Sequence, residues 1–298
     1  MPSAEHEAVV ESLKRQQAGS APASIEAMRA GLEALVGYFQ ALPFPDGVEQ
    51  TPTVASGVPG AWFTPKAARA DRAILYLHGG GYVMGSVATH RSLIGRIANA
   101  SGVPGLALDY RLAPEQPFPA AVEDVCAAYR GLLARGIAPS AIAIAGDSAG
   151  GGLALGSLVA LRDAGDPLPA AAVCLSPLAD LELSGGSAAA EIDDPLVDRA
   201  GTLMMADAYL QGADPRDPRA SPVHADFEGL PPLLIEVGTR EILLDDAIRV
   251  ARSARAAGVA VTLEQGEGLT HVWQLHPHLP ESRESVDRIA RFLRTHLD

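Results

Sequence analysis

The chain has 298 residues, of which 48% are hydrophobic and 20% are charged, a composition that suits one folded catalytic unit with a large core. Its formal net charge of −13 argues against nucleic acid or an anionic membrane surface as the main partner, because both are bound through clustered lysine and arginine. We therefore expect the partner to be a neutral small molecule.

The beginning of the chain lacks the pattern of a secretion signal. Glu5, His6 and Glu7 stand where a signal peptide would be basic and then apolar. No apolar run approaches the roughly 18 to 20 residues of a membrane span. These features predict a cytoplasmic protein with no membrane span.

The first predicted element is an amphipathic helix near the N-terminus. Apolar residues recur at helical spacing from Ile25 to Phe39, and Pro43 and Pro45 end the pattern. Such a stripe also occurs in helices that lie on membranes, but the polar face here is not basic. We expect it to pack against the body of the protein.

From about residue 73, short apolar runs alternate with longer segments of helical period, a pattern typical of an α/β fold. Most of the short runs are apolar throughout, as in parallel strands that helices cover on both faces. Right-handed crossovers would then build a mostly parallel, doubly wound sheet. The predicted strands are Ala73 to Leu77, Gly105 to Asp109, Ala141 to Ala145, Ala171 to Leu175, Pro232 to Val237 and Val259 to Leu263, and the predicted helices include Ala120 to Ala134, Ala149 to Asp163 and Asp245 to Ala257.

The alternation breaks between Leu183 and Leu230, where a Gly/Ser stretch, an acidic run and a short helical segment follow one another. We interpret part of this region as an insertion that covers the catalytic edge of the sheet together with the N-terminal helices. The predicted organisation is N-terminal cap helices in 1–45, the first part of the core in 46–184, a cap insertion in 185–225 and the second part of the core in 226–298.

The strongest motif is the run from Gly146 to Gly151, which reads G-D-S-A-G-G and lies between a predicted strand and an alanine-rich helix. It matches the G-x-S-x-G nucleophile elbow, in which small neighbours allow the tight turn that exposes the serine. The alternative is a glycine-rich helix start or phosphate loop, but no G-x-G-x-x-G or Walker-type lysine accompanies it. We predict that Ser148 is a nucleophile.

A second glycine-rich run follows the strand that ends at Leu77 and reads His78-Gly79-Gly80-Gly81-Tyr82. Consecutive glycines let backbone N–H groups converge on one point, as acyl transfer requires for the oxyanion. The predicted donors are Gly80, Gly81 and Ala149. We expect His78 to orient this loop rather than to act as a base.

Together these motifs resemble the hormone-sensitive-lipase family of carboxylesterases, also called bacterial family IV. The resemblance extends over nearly the whole chain and includes Asp109 to Glu115 and Gly229 to Pro232 in the family order. It implies an α/β-hydrolase with a helical cap that hydrolyses short-chain acyl esters without a metal or an organic cofactor. It also implies a homodimer formed at the sheet edge, and a structural role for Asp109 to Glu115.

The base and the acid of a triad should follow the nucleophile in the chain. His271 is the predicted base, because it lies in a loop after the last predicted strand. Where the family has D-P-L-x-D, this chain reads Glu241-Ile242-Leu243-Leu244-Asp245, so by the resemblance Glu241 replaces the usual aspartate. We predict Glu241 as the acid and expect Asp245 and Asp246 to cap the following helix.

Further residues have weaker interpretations. His276 and His278 are predicted to form a surface turn rather than a metal site, and Cys126 and Cys174 to be buried free thiols. Two other functions stay open, namely a ligand-binding protein on the same scaffold and an acyltransferase in which an alcohol replaces water. The residues expected to wall an apolar pocket are Met28, Phe39, Tyr82, Met204, Met205 and Trp273.

Overall fold

A computed structural model describes residues 1–17, 24–190 and 192–297 of the chain. The predicted N-terminal cap, the cap insertion and the second part of the core each include residues outside these ranges. The helices are α1 (Ala4–Gln17), α2 (Ile25–Ala34), α3 (Val36–Ala41), α4 (Val87–Ser101), α5 (Ala120–Ala134), α6 (Ala149–Asp163), α7 (Gly186–Ala189), α8 (Arg199–Leu210), α9 (Leu244–Ala256) and α10 (Pro280–Leu297).

Eight strands form one sheet in the order β1-β2-β4-β3-β5-β6-β7-β8. The pairs from β4 through β3 to β8 are all parallel, whereas β1 pairs with β2, and β2 with β4, in antiparallel fashion. The mostly parallel α/β-hydrolase sheet is therefore confirmed. The strands are β1 (Val48–Ala55), β2 (Val58–Pro65), β3 (Ala73–Leu77), β4 (Gly105–Leu108), β5 (Ile142–Asp147), β6 (Ala171–Leu175), β7 (Leu233–Gly238) and β8 (Val261–Gly266).

Helices cover both faces of the sheet. Side chains of α5, α6 and α9 pack with one set of strand residues, and those of α4 and α10 pack with the other. Strands β3, β5, β6 and β7 are buried at every position, as the continuous apolar runs predict. Cys126 and Cys174 are buried and free, and burial raises the pKa of their thiols to about 11 and about 12, respectively.

Two N-terminal features differ from the sequence interpretation. The antiparallel hairpin of β1 and β2 was not predicted, because β1 is an edge strand that is exposed or half-exposed at all positions but Val48, with few apolar residues and Pro52 in its middle. The helix predicted from Ile25 to Phe39 is divided at Leu35, whose amide donates to the carbonyl of Leu32 in a tightened last turn. None of the described helices is both long and apolar enough to cross a membrane.

The carboxyl ends of the parallel strands meet at one edge of the sheet, where β3 leads to the glycine loop and β5 to Ser148. The loop after β8 carries His271 to the same edge. Helix α1 holds this loop, because the buried ring of His6 lies 3.2 Å from the hydroxyl of Thr270 and accepts its amide at 3.3 Å. The fold thus gathers the predicted site residues at one edge.

Candidate active site

Ser148 lies in the turn between β5 and α6 with φ 54° and ψ −121°, a conformation that non-glycine residues rarely adopt. The turn needs glycine on both sides. A Cβ at Gly146 would lie 2.3 Å from the carbonyl oxygen of Gly150, and one at Gly150 would lie 2.0 Å from that of Leu77. The G-x-S-x-G pattern therefore reflects close backbone packing around the serine.

The glycine loop turns its backbone toward the same point. Gly80 has φ +123° and Gly81 φ +60°, both in the left-handed region that side chains disfavour. Within the described chain, neither amide donates a hydrogen bond to another protein group. Ala149 is buried at the first position of α6, where helix N–H groups are free. These three donors are available for an anionic oxygen.

His271 and Glu241 are in direct contact. Nδ1 of His271 lies 2.8 Å from Oε2 of Glu241, whose side chain is fully buried. The other oxygen, Oε1, accepts hydrogen bonds from the hydroxyl of Ser176 at 2.7 Å and from the amide of Gly238 at 2.6 Å. The hydroxyl of Ser176 in turn accepts the amide of Val272 at 3.2 Å, so one serine holds both the carboxylate and the histidine loop.

Asp245 does not face the histidine. Its carboxylate accepts the amide of Ser187 at 2.9 Å, while the carboxylate of Asp246 accepts the amides of Ala179 and Asp180, both at 2.9 Å. The expectation that these aspartates cap their own helix was wrong, since α9 begins after Leu243 without a side-chain cap. They bind instead backbone amides of the segment that follows β6, which includes α7.

The charge of Glu241 governs the electrostatics of His271. Burial lowers the pKa of His271, but the hydrogen bond and the charge of Glu241 outweigh that effect, so the pKa lies above its usual 6.5. A second carboxylate acts in the same direction from the predicted cap. Burial raises the pKa of Asp194 to about 6, and this residue interacts electrostatically with His271. The sequence interpretation did not single out Asp194.

Ser148 and His271 line one cavity of about 360 Å³. Helices α2 and α3 contribute Met28 and Phe39 to its wall, and α8 contributes Met205. Tyr82 was expected there but is buried, with its ring stacked on that of Tyr209 at 4.0 Å. The other residues that line the cavity are Leu32, Leu35, Gly79, Gly80, Gly81, Met84, Gly85, Thr89, His90, Asp147, Leu178, Leu196, Val197, Asp198, Gly201, Thr202, Leu243, Val272 and Leu275.

Trp273 and Met204, two further residues expected at the pocket, do not line it. Trp273 is buried and donates to the carbonyl of Glu281. His90 and Asp147 do line it, although the sequence interpretation assigned neither a role. Asp147 occupies the variable position of G-x-S-x-G directly before Ser148. A charged residue next to the predicted nucleophile is the sequence signal that could have identified it.

Potential metal ligands lie elsewhere. Asp180, Glu182 and His224 place one ligand atom each within 4.8 Å of one another. Arginine side chains already pair with both carboxylates, Arg249 with Asp180 at 2.5 Å and Arg216 with Glu182 at 2.8 Å. In the predicted surface turn, His278 is exposed but His276 is half-buried, and burial lowers the pKa of His276 to about 4.

Comparisons with known proteins show which fold and which relatives the chain is similar to. Residues 74–275 match a family described as having the alpha/beta hydrolase fold. The chain is 52% identical over 237 residues to an acetyl-hydrolase of Streptomyces hygroscopicus, with 78% of this chain and 79% of that protein covered. It is 34% identical over 269 residues to an esterase of Acinetobacter venetianus, with 89% and 88% covered.

A solved structure is also similar to this chain. It is that of an esterase from the bacterial hormone-sensitive lipase family, with 46% sequence identity and a TM-score of 0.93. The match covers 100% of both chains.

Proposed function

We propose that this chain, which belongs to the hormone-sensitive-lipase family of α/β-hydrolases and is a carboxylic ester hydrolase, acts on short-chain acyl esters through Ser148, His271 and Glu241. One observation carries the proposal. The imidazole of His271 lies between a fully buried carboxylate, 2.8 Å from Nδ1, and a cavity that Ser148 also lines. A nucleophile, its base and an orienting acid require this arrangement.

The reaction begins when the Ser148 hydroxyl oxygen bonds to the ester carbonyl carbon and its proton passes to Nε2 of His271. Glu241 keeps hydrogen on Nδ1, which leaves the lone pair of Nε2 free, and then stabilises the imidazolium. The N–H groups of Gly80, Gly81 and Ala149 bind the oxyanion.

The attack converts the carbonyl into a tetrahedral intermediate that carries the oxyanion. Collapse of this tetrahedral intermediate restores the carbonyl and breaks the bond between the carbonyl carbon and the alcohol oxygen. His271 protonates the departing alcohol. Water then attacks the acyl-serine, with His271 as base, and releases the acid and free Ser148. A second alcohol in place of water would give an acyltransferase. Product analysis in the presence of added alcohol distinguishes the two outcomes.

The lining of the cavity supports a small, neutral ester as the substrate. It is mostly apolar, and its described residues include no lysine or arginine that would bind an anionic group. The side chain of Met205 packs on Gly81, where a Cβ would lie 2.1 Å from the sulphur, so space beside the glycine loop is limited. The acetyl-hydrolase relative points to acetyl esters as the first substrates to test.

Three further features are proposals of the same kind. Helices α2 and α3 of the predicted N-terminal cap and α8 of the predicted cap insertion cover the cavity, since all three contribute to its wall. The homodimer implied by the family resemblance is tested by analytical ultracentrifugation. The cytoplasmic location suggested by the sequence is tested by cell fractionation.

The proposal is tested by the hydrolysis of p-nitrophenyl esters from acetyl to long acyl chains, with and without a phosphonate inhibitor of serine hydrolases. We expect turnover that peaks at short chains, is lost with the inhibitor and is abolished in Ser148→Ala. Ser157→Ala is the matched control, because Ser157 is a buried serine on α6 that does not line the cavity. Turnover that survives in Ser148→Ala would contradict the nucleophile assignment, and folded wild-type protein without turnover would favour a ligand-binding role.

A further inference from the structure

A buried histidine and a buried aspartate face each other beneath the glycine loop, outside the proposed triad. His90 lies on α4, and Asp147 is the last residue of β5, directly before Ser148. Nε2 of His90 is 3.1 Å from Oδ2 of Asp147, and the hydroxyl of Tyr76 donates to Oδ1 at 2.8 Å. Both members of the pair also line the cavity.

The contacts of His90 with Thr89, Ser86 and Asp147 favour hydrogen on both ring nitrogens. Nδ1 lies 2.8 Å from the hydroxyl oxygen of Thr89 and 3.2 Å from the carbonyl oxygen of Ser86. The Thr89 hydroxyl already donates its proton to that carbonyl at 2.8 Å, so Nδ1 must act as the donor. Nε2 faces the carboxylate of Asp147, to which it can only donate. The imidazolium satisfies both Nδ1 and this carboxylate, and on that basis we assign a His90⁺–Asp147⁻ pair.

The surrounding charges agree with this assignment. Burial lowers the pKa of His90, but the charge and hydrogen bond of Asp147 outweigh it, so the pKa lies above the usual value. Burial and the neighbouring His90 lower the pKa of His78 to about 3, which keeps that ring neutral. The titratable groups that face or electrostatically reach the pair are Tyr76 from β3, His78 from the glycine loop, Tyr110 from the segment after β4 and His271 from the loop after β8.

A second contact links the pair to the glycine loop. The amide of Gly79 points at Nε2 of His90 at 3.2 Å, and a Cβ at Gly79 would lie 2.4 Å from Oδ2 of Asp147. Nε2 can accept that amide only when it carries no hydrogen. The protonated ring therefore binds Asp147, whereas a neutral ring with hydrogen on Nδ1 binds the loop residue that precedes Gly80.

We propose that His90 is a positioning residue for acyl transfer: as an imidazolium it neutralises Asp147, whose charge would otherwise oppose the oxyanion held by the glycine loop. This role rests on the proposed function of Ser148, Gly80 and Gly81. A like charge beside a developing oxyanion acts on the transition state far more than on the neutral ester. Loss of the pair should therefore lower kcat and leave KM nearly unchanged.

The test is a double-mutant cycle on the full chain, in which kcat and KM for p-nitrophenyl acetate are measured for the wild type, His90→Gln, Asp147→Asn and the double variant. His90→Gln leaves Asp147 uncompensated, and kcat should fall about 50- to 100-fold for a charge several ångströms away at an effective dielectric constant of about 20. The double variant should recover at least about tenfold of that loss, because it removes the charge as well. Tyr76→Phe is the matched control, since it removes a hydrogen bond from Asp147 without changing any charge.

A double variant no faster than His90→Gln, or a Tyr76→Phe variant as slow as His90→Gln, would overturn the charge role. A measurement on the unaltered protein tests the proposal even if the variants do not fold. At pH 6.5, where an ordinary histidine is half protonated, ¹⁵N-histidine NMR should show hydrogen on both ring nitrogens of His90. A bare ring nitrogen there would refute the proposal. If Ser148→Ala is inactive while the variants of His90, Asp147 and Tyr76 give either of these two contrary results, only the role of His90 is wrong. Turnover in Ser148→Ala would refute the proposed function itself.

Discussion

Replacing Glu241 by glutamine separates the geometry of the acid from its charge. Oε1 accepts two protein donors, the hydroxyl of Ser176 and the amide of Gly238, and Oε2 accepts Nδ1–H of His271. The glutamine oxygen must take the Oε1 position, because an NH₂ group there would meet the Gly238 amide at 2.6 Å. The NH₂ group of the introduced side chain then faces His271 and can only donate.

This arrangement reverses the tautomer of the base. Nδ1 of His271 must give up its hydrogen to accept from the amide, and the hydrogen moves to Nε2, the nitrogen that should take the proton of Ser148. A wrong tautomer of this kind costs about 10⁴ in kcat in triad hydrolases, or about 5.4 kcal/mol. We therefore expect Glu241→Gln to lower kcat by about 10³ to 10⁴ and to keep its fold.

The assay is kcat for p-nitrophenyl acetate, with the folded fraction measured by circular dichroism. Asp245→Asn is the matched control, because an amide oxygen can still accept the amide of Ser187, and its activity should stay within about twofold. Glu241→Gln with more than about a tenth of wild-type kcat would refute the tautomer argument. Loss of activity in Asp245→Asn alone would transfer the role to Asp245.

The site and the core support three further predictions. Catalysis needs neutral His271, whose pKa lies above 6.5, so kcat/KM should fall as the pH drops through the pKa of this residue. An acid limb of the pH profile centred well below 6.5 would contradict this. Burial raises the pKa of Asp246 from 3.8 to about 8, so the stability contributed by its proton is fully present below pH 3.8 and is lost as the pH rises through about 8. Tm should therefore decline over this range, and Asp246→Asn should flatten the decline. An unchanged slope of Tm against pH in that variant would contradict the prediction. Met205→Ala should open space beside Gly81 and move the ester-series optimum to longer acyl chains, whereas an unchanged optimum would place the acyl pocket elsewhere.

The sequence predicts well those features that depend on neighbouring residues. The strand, tight turn and helix around Ser148 follow from a local run in which glycines avoid backbone collisions. Buried parallel strands are visible as continuous apolar runs, although the observed strands from β5 onward begin one or two residues later than predicted in several cases. The hairpin of β1 and β2, whose outer strand β1 is largely exposed or half-exposed, lacks both signals, so its pairing was not predictable from composition.

Long-range partners were predicted less well because one residue type suits several local roles. An aspartate at the start of a helix is a good cap, and that rule assigned Asp246 to its own helix. In the fold, its carboxylate binds the amides of Ala179 and Asp180, 67 and 66 residues away in the chain. The pair of His90 and Asp147 is similarly distant, with its members 57 positions apart.

The choice between Glu241 and Asp245 shows what decides such a role. Both are carboxylates in one short motif, so chemistry alone leaves each eligible. Glu241 uses the greater length of its side chain to reach His271 with Oε2 while Oε1 turns back to the amide of Gly238, three residues earlier. Its donors are neutral apart from the histidine, so no fixed cation competes with the imidazolium for its charge. A triad acid is thus distinguished by its surrounding donors, and only the fold supplies them.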